Sequence, residues 1–246
     1  MAGARDFARH PKGAVQRARV DAWLVRRALK LAFGKRARGD VVDQFHRLYY
    51  DGAVFGDTRA DTSWLGVPAD KCPLDLWVYQ ELLFRLRPPV VIETGTANGG
   101  SALFFASMFD LLGEGEVVTV DVEGHVERPA HDRITYVTGS SIDEETVGRV
   151  RELVGGREAM VFLDSDHRRD HVLAELRAYH PFVPAGGYLV VEDTNLNGRP
   201  VSPDYGPGPG EAVDDFLREQ SHFTRDRGCE KLYMTFNPGG YLRRTA

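Results

Sequence analysis

The chain has 246 residues, 42% hydrophobic and 27% charged, with a net charge of −5, enough chain for a globular α/β domain with a full core. No apolar run approaches the roughly 20 residues of a membrane span, and no secretory h-region stands at the N-terminus. Two isolated cysteines, Cys72 and Cys229, fit a reducing compartment, so a cytoplasmic protein is expected.

Residues 1–38 hold eleven Lys/Arg against two Asp/Glu, a balance of +9, so the remainder carries −14. That acidity argues against a nucleic-acid surface on the main domain. Within 14–38, Val20, Trp23, Leu24, Ala28 and Leu31 recur at helical spacing among Arg19, Arg26, Arg27 and Lys30. Packing on the body or on a second subunit is favoured over contact with an anionic membrane surface, because one apolar stripe fits both and packing is commoner. Residues 1–75 read as an N-terminal helical extension or lid, and 76–246 as the main domain.

From residue 74 on, helical patterns alternate with β-branched runs. The runs are Val90–Ile92, Val117–Val120, Ile134–Val137, Met160–Leu163 and Tyr188–Val191, and helices are expected at about 99–112, 143–154, 168–180 and 210–220. Nearly continuous apolar runs suit strands buried on both faces, and the alternation predicts a Rossmann-like, doubly wound, mostly parallel sheet. Phe223-Thr224 and 232–236 are expected to pair as an edge hairpin. Ligands of such sheets bind outside the carboxyl ends of the strands.

The first strand ends at Glu93 and runs into Thr94-Gly95-Thr96-Ala97-Asn98-Gly99-Gly100-Ser101; the second ends at Asp121. A glycine turn lets backbone approach a ligand, and a carboxylate after the second strand can accept ribose hydroxyls. The spacing is not G-x-G-x-x-G. A carboxylate at Glu93 would repel a pyrophosphate and attract the cationic amino-acid end of S-adenosylmethionine, so a methyl donor is favoured over a dinucleotide. Ser140 and Ser141 could bond the adenine or cap the next helix.

The fourth strand ends in Asp164-Ser165-Asp166-His167 and the fifth in Glu192-Asp193-Thr194-Asn195. Four acids at neighbouring strand ends call for a cation, and oxygen ligands favour a hard one such as Mg²⁺. His167 stands beside them as a candidate general base, with Asp166 as the runner-up. His171 lies one turn further on, and without the glutamate of a zinc-protease motif it reads as structural. Metal and base would serve methyl transfer to a hydroxyl oxygen by stabilising its developing charge and removing its proton. Substrate selection is expected from 194–211 (Asn197, Asp204, Tyr205) and from 55–80 (Trp64, Lys71, Trp77, Tyr79), with Trp77 expected in the core.

The stretches 71–77 (Lys-Cys-Pro-Leu-Asp-Leu-Trp), 93–96 (Glu-Thr-Gly-Thr), 163–167, 191–195, 206–210 and 236–242 together resemble the cephalosporin hydroxylase/rhamnosyl O-methyltransferase family over about residues 59–244. The resemblance implies a class I methyltransferase fold, S-adenosylmethionine and Mg²⁺, with Asp164, Glu192 and Asp193 as metal ligands and His167 as base. It also implies a sugar or glycosylated small-molecule acceptor and a homo-oligomer. An Fe(II) oxygenase would want two histidines and one carboxylate, and it ranks below, as does a non-catalytic partner that keeps the fold.

Overall fold

The computed structural model describes residues 21–27, 34–50, 62–124 and 127–246. The chain divides into two units, residues 1–45 and 46–246. In the first, residues 21–27 are helical with Trp23 and Leu24 exposed; Val20, Ala28 and Leu31 of the proposed amphipathic stripe lie outside the described residues. Helix α1 (Lys35–Tyr50) follows, its residues from His46 on belonging to the second unit. Among the described residues no helix is long and apolar enough to cross a membrane.

The body opens with a short hairpin, β1 (Ser63–Trp64) and β2 (Val67–Pro68), and α2 (Pro73–Leu86). The series then runs β3 (Val90–Thr94), α3 (Gly100–Leu112), β4 (Glu116–Asp121), β5 (Ile134–Thr138), α4 (Glu144–Val154), β6 (Ala159–Leu163), α5 (Arg169–Tyr179) and β7 (Tyr188–Val191). It ends with α6 (Pro209–Glu219), β8 (Phe223–Arg225) and β9 (Tyr241–Arg244). The sheet order is β5-β4-β3-β6-β7-β9-β8, with β9 antiparallel to both neighbours. Successive strand residues face opposite sides. Accordingly Ile92, Val161 and Leu189 pack against α4, α5 and α6, while Val91, Met160 and Val190 pack against α2 and α3. The five apolar runs and four helices expected from the sequence are all present.

Register fixes the site. Thr94 pairs with Val120 on one side and Leu163 on the other, and Leu163 pairs with Val191. Gly95, Asp121, Asp164 and Glu192 therefore emerge level with one another, at the point where the chain, having laid β4 and β5 on one side of β3, crosses to lay β6 and β7 on the other. This is the switch-point crevice of an open α/β sheet.

Two expectations need correction. The partner of β8 is β9, not 232–236. The 232–236 stretch is instead tied to Asp75 at the start of α2, which accepts from Thr235 Oγ1 (2.5 Å), Phe236 N (2.8 Å) and Tyr241 Oη (2.7 Å). Trp77 is 61% exposed. Helix α2 buries Val78, Tyr79, Leu82 and Leu83, and position 77 falls one step off that stripe, beside exposed Phe84 a further two turns along.

Asp75→Ala strands three buried donors and is expected to cost on the order of 3 kcal/mol in urea unfolding. Burial raises the Asp75 carboxyl to about 6 despite the three hydrogen bonds. The folded chain therefore holds that proton more tightly than the unfolded chain, whose value is about 4. The contribution of this group to stability should fall as pH rises from about 4 to about 6, a slope that Asp75→Ala removes.

Candidate active site

A cavity of about 520 Å³ opens at the carboxyl ends of β3, β4, β5 and β6. The β3–α3 turn forms one wall. Gly95 takes φ +87°, and a Cβ there would run into the Asp164 carbonyl, so only glycine lets the two strand ends meet. Thr96, Ser101, Asp121, Ser140, Ser141 and Asp164 all line the cavity. The Asp121 carboxylate accepts from the backbone N–H groups of Ala97 (2.8 Å) and Glu123 (2.9 Å), which fixes it at the rim. The helix after Ser141 is preceded by Asp143, not by a serine, at its cap.

Two of the expected cofactor residues stand elsewhere. Glu93 is fully buried beneath the turn, with one oxygen accepting from Thr119 Oγ1 (2.7 Å) and the other without a partner, and burial raises its pKa. It does not line the cavity, because the last residues of β3 alternate between the two core layers and the opening lies beyond them. Gly99 caps α3 with φ +82° and faces Pro129 and Tyr136.

At the other end, acids from β6 and β7 converge as register requires. The Lys71 ammonium, 3% exposed, bonds Asp164 Oδ2 and lies 3.0 Å from Glu192 Oε2. Burial alone would lower its pKa, but Asp164, Glu192 and Glu93 raise it on balance. Burial raises Glu192, whose Oε1 is enclosed with no hydrogen-bond partner. Lys71 thus takes one oxygen from each of two acids. Asp164, His167 and Asp193 form a second focus, their ligand atoms within 4.8 Å of one another. His167 Nε2 is 3.3 Å from Asp193 Oδ2 and 4.0 Å from Asp164 Oδ1.

This donor set fits a hard divalent ion: carboxylate oxygens predominate, and an enclosed glutamate oxygen lacks any other partner. Of the three acids expected to bind metal, Asp164 and Asp193 share the focus with His167, while Glu192 stands on the Lys71 side. Asp166 turns away to Arg168, whose Nε lies 2.8 Å from its Oδ2. Hydrogen bonds from Arg168 pull the Asp166 carboxyl down to about 2, which makes it a poor proton acceptor at neutral pH. His171 Nε2 lies 3.1 Å from Ser141 Oγ, 3.3 Å from Ser165 Oγ and 3.7 Å from Glu175 Oε1. It is no second metal-binding histidine, so an oxygenase ligand set is not assembled among the described residues. Cys72 and Cys229 are free and buried, each thiol pushed up to about 12, chiefly by burial.

The main element that sequence reasoning missed is the place of Lys71, 93 positions before the acid it bonds. The sequence offered it only as one of the substrate-selecting residues of 55–80 and as part of the 71–77 stretch. Asn237 is a second: its Oδ1 accepts from Asp193 N (3.1 Å) and its Nδ2 donates to Tyr79 Oη (2.6 Å), supporting Asp193 in a left-handed conformation, φ 52°.

The family described as Rhamnosyl O-methyltransferase/CmcI matches residues 57–245. A rhamnosyl O-methyltransferase of Mycobacterium tuberculosis (strain ATCC 25618 / H37Rv) is 37% identical over 214 residues, 83% of this chain and 85% of that protein. One of Mycobacterium leprae (strain TN) is 37% identical over 216 residues, 85% of this chain and 93% of that protein. Among solved structures, an apo CmcI superposes with a TM-score of 0.59 at 23% identity, over 76% of this chain and 77% of that one. A CmcI structure with Mg and SAM gives 0.58 at 23% identity, over 76% and 78%. At these identities the structural matches establish the shared fold.

Proposed function

The chain belongs to the rhamnosyl O-methyltransferase/CmcI family, and from that premise we propose that it transfers the methyl group of S-adenosylmethionine to a hydroxyl of a sugar-bearing acceptor, with Mg²⁺ held by Asp164, Glu192 and Asp193. One observation carries the reading. Asp164 is at once a wall of the cavity and a member of the acid–histidine focus, so a bound nucleoside and a cation-held acceptor would meet at a single side chain.

When bound, the cofactor supplies the methyl group and the metal supplies a Lewis acid beside the acceptor oxygen. The rest falls to the chain. Asp121 accepts ribose hydroxyls at the rim, Ser140 and Ser141 face the base, and the Gly95 turn gives backbone access. His167 takes the acceptor proton at Nε2, and Asp193 Oδ2, 3.3 Å away, stabilises the resulting imidazolium. Enclosure of the acids keeps water from competing with the acceptor and strengthens these interactions.

Labelled S-adenosylmethionine incubated with a panel of rhamnosides and other glycosides tests the proposal. Expected is a methylated sugar hydroxyl, turnover abolished by EDTA and restored by Mg²⁺. Transfer that persists undiminished in EDTA would remove the metal from the reading, and cofactor binding without transfer to any glycoside would remove the acceptor class.

A further inference from the structure

The family match begins at residue 57, yet the last turn of α1, before that point, reaches the acid site. Tyr50 Oη donates to Asp193 Oδ2 (3.0 Å), the same oxygen that faces His167 Nε2 at 3.3 Å. One turn earlier, His46 Nε2 lies 2.9 Å from Asn195 Nδ2, and Arg47 Nε donates to the Pro200 carbonyl (3.0 Å). Three side chains at i, i+1 and i+4 of one helical turn therefore fasten the loop that leaves β7. His46 and Tyr50 are both buried. Phe236 lies between them, stacked on His46 at 5.7 Å and edge-on to Tyr50 at 4.9 Å.

The loop being fastened is under backbone strain. Asp193, Asn197 and Ser202 all have positive φ, a conformation that costs non-glycine residues energy and persists only where surroundings enforce it. Asn237 holds Asp193 by its backbone N–H; Tyr50 holds it by its carboxylate. The two contacts together fix both the main chain and the side-chain rotamer of one acid. A hydroxyl donated to a carboxylate oxygen orients that group, as outer hydrogen-bond partners of metal-ligating carboxylates commonly do.

We propose that Tyr50 is a positioning residue of the acid site: it acts through Asp193 on the metal and on His167, so that the last turn of α1, ahead of residue 57, completes the site. The inference rests on the metal reading given above. It differs from that reading in assigning the orientation of Asp193 to α1.

The test is Mn²⁺ binding to the full chain in the presence of S-adenosylhomocysteine, read by calorimetry, for wild type and Tyr50→Phe. The phenylalanine keeps the ring against Phe236 and removes the hydrogen bond donated to Asp193. Tyr50→Phe is expected to weaken Mn²⁺ binding about 10-fold, at the low end of what losing such a partner costs. Its melting temperature and its affinity for S-adenosylhomocysteine should stay at wild-type values. Mn²⁺ affinity within about two-fold of wild type, well short of that loss, overturns the proposal and leaves the metal reading standing. A wild-type chain that binds the nucleoside but no Mn²⁺ overturns the metal reading and this inference with it. Weaker Mn²⁺ binding accompanied by a matching fall in melting temperature would make Tyr50 a packing residue and also overturn the proposal.

Discussion

His167→Ala is expected to lower turnover by roughly 10²- to 10⁴-fold, the range a positioned general base supplies, while leaving the dissociation constant for S-adenosylhomocysteine unchanged. The two halves of this result have separate causes. His167 faces Asp164 and Asp193, where an acceptor oxygen would lose its proton. It does not line the cofactor cavity, whereas Asp164, Ser165 and Asp166 just before it do. The side chain is partly exposed and belongs to no core cluster, so truncation leaves the fold in place, which a thermal melt checks. The other candidate, Asp166, is engaged by Arg168 and held near 2. Full turnover in His167→Ala would therefore leave the proposed proton transfer without an acceptor among these residues.

Asp164→Asn should have the second largest effect, and it should be broader. Asp164 touches Lys71, the metal focus and the cavity together. Asparagine keeps the shape and the backbone carbonyl against Gly95 but removes the charge. Divalent-metal affinity is expected to fall by more than the roughly 10- to 100-fold that losing an outer partner costs, with turnover falling in step. Lys71 would then keep only Glu192 as a close carboxylate, so cofactor affinity should also shift, because the cavity wall carries the change. Metal titration by calorimetry and steady-state kinetics read the two effects separately. Unaltered metal affinity would place the ion away from β6.

The features that the sequence made legible were those written in local pattern. Val90–Ile92 and Met160–Leu163 are continuous apolar runs because both faces of the sheet are covered. Once Met160–Leu163 and Tyr188–Val191 are parallel neighbours, register alone brings Asp164 level with Glu192. Long-range pairings left no such trace. Lys71 is one cation in a loop, and nothing within ten residues of it announces three carboxylates. Tyr50 finds Asp193 across 143 positions. Strand β9 was hidden for a different reason: Tyr241-Leu242-Arg243-Arg244 has a weaker apolar pattern than 232–236, and the latter was claimed by side-chain bonds to Asp75 rather than by a ladder. Glu93 shows the limit of reading a strand end by its charge. The residue is where topology puts it, but its side chain points into the protein beneath the cavity floor, toward Thr119.

On the proposed reading, acids from β6 and β7, with His167 beside them, hold one divalent ion against the cofactor cavity. Anomalous scattering from crystals grown with Mn²⁺ and S-adenosylhomocysteine tests it most directly. A single peak is predicted within about 2–2.6 Å of carboxylate oxygens of Asp164 and Asp193, with the nucleoside lying along Asp121 and Ser141. Nucleoside density in the cavity with no peak there, or with the ion bound at a different acid pair, would contradict it.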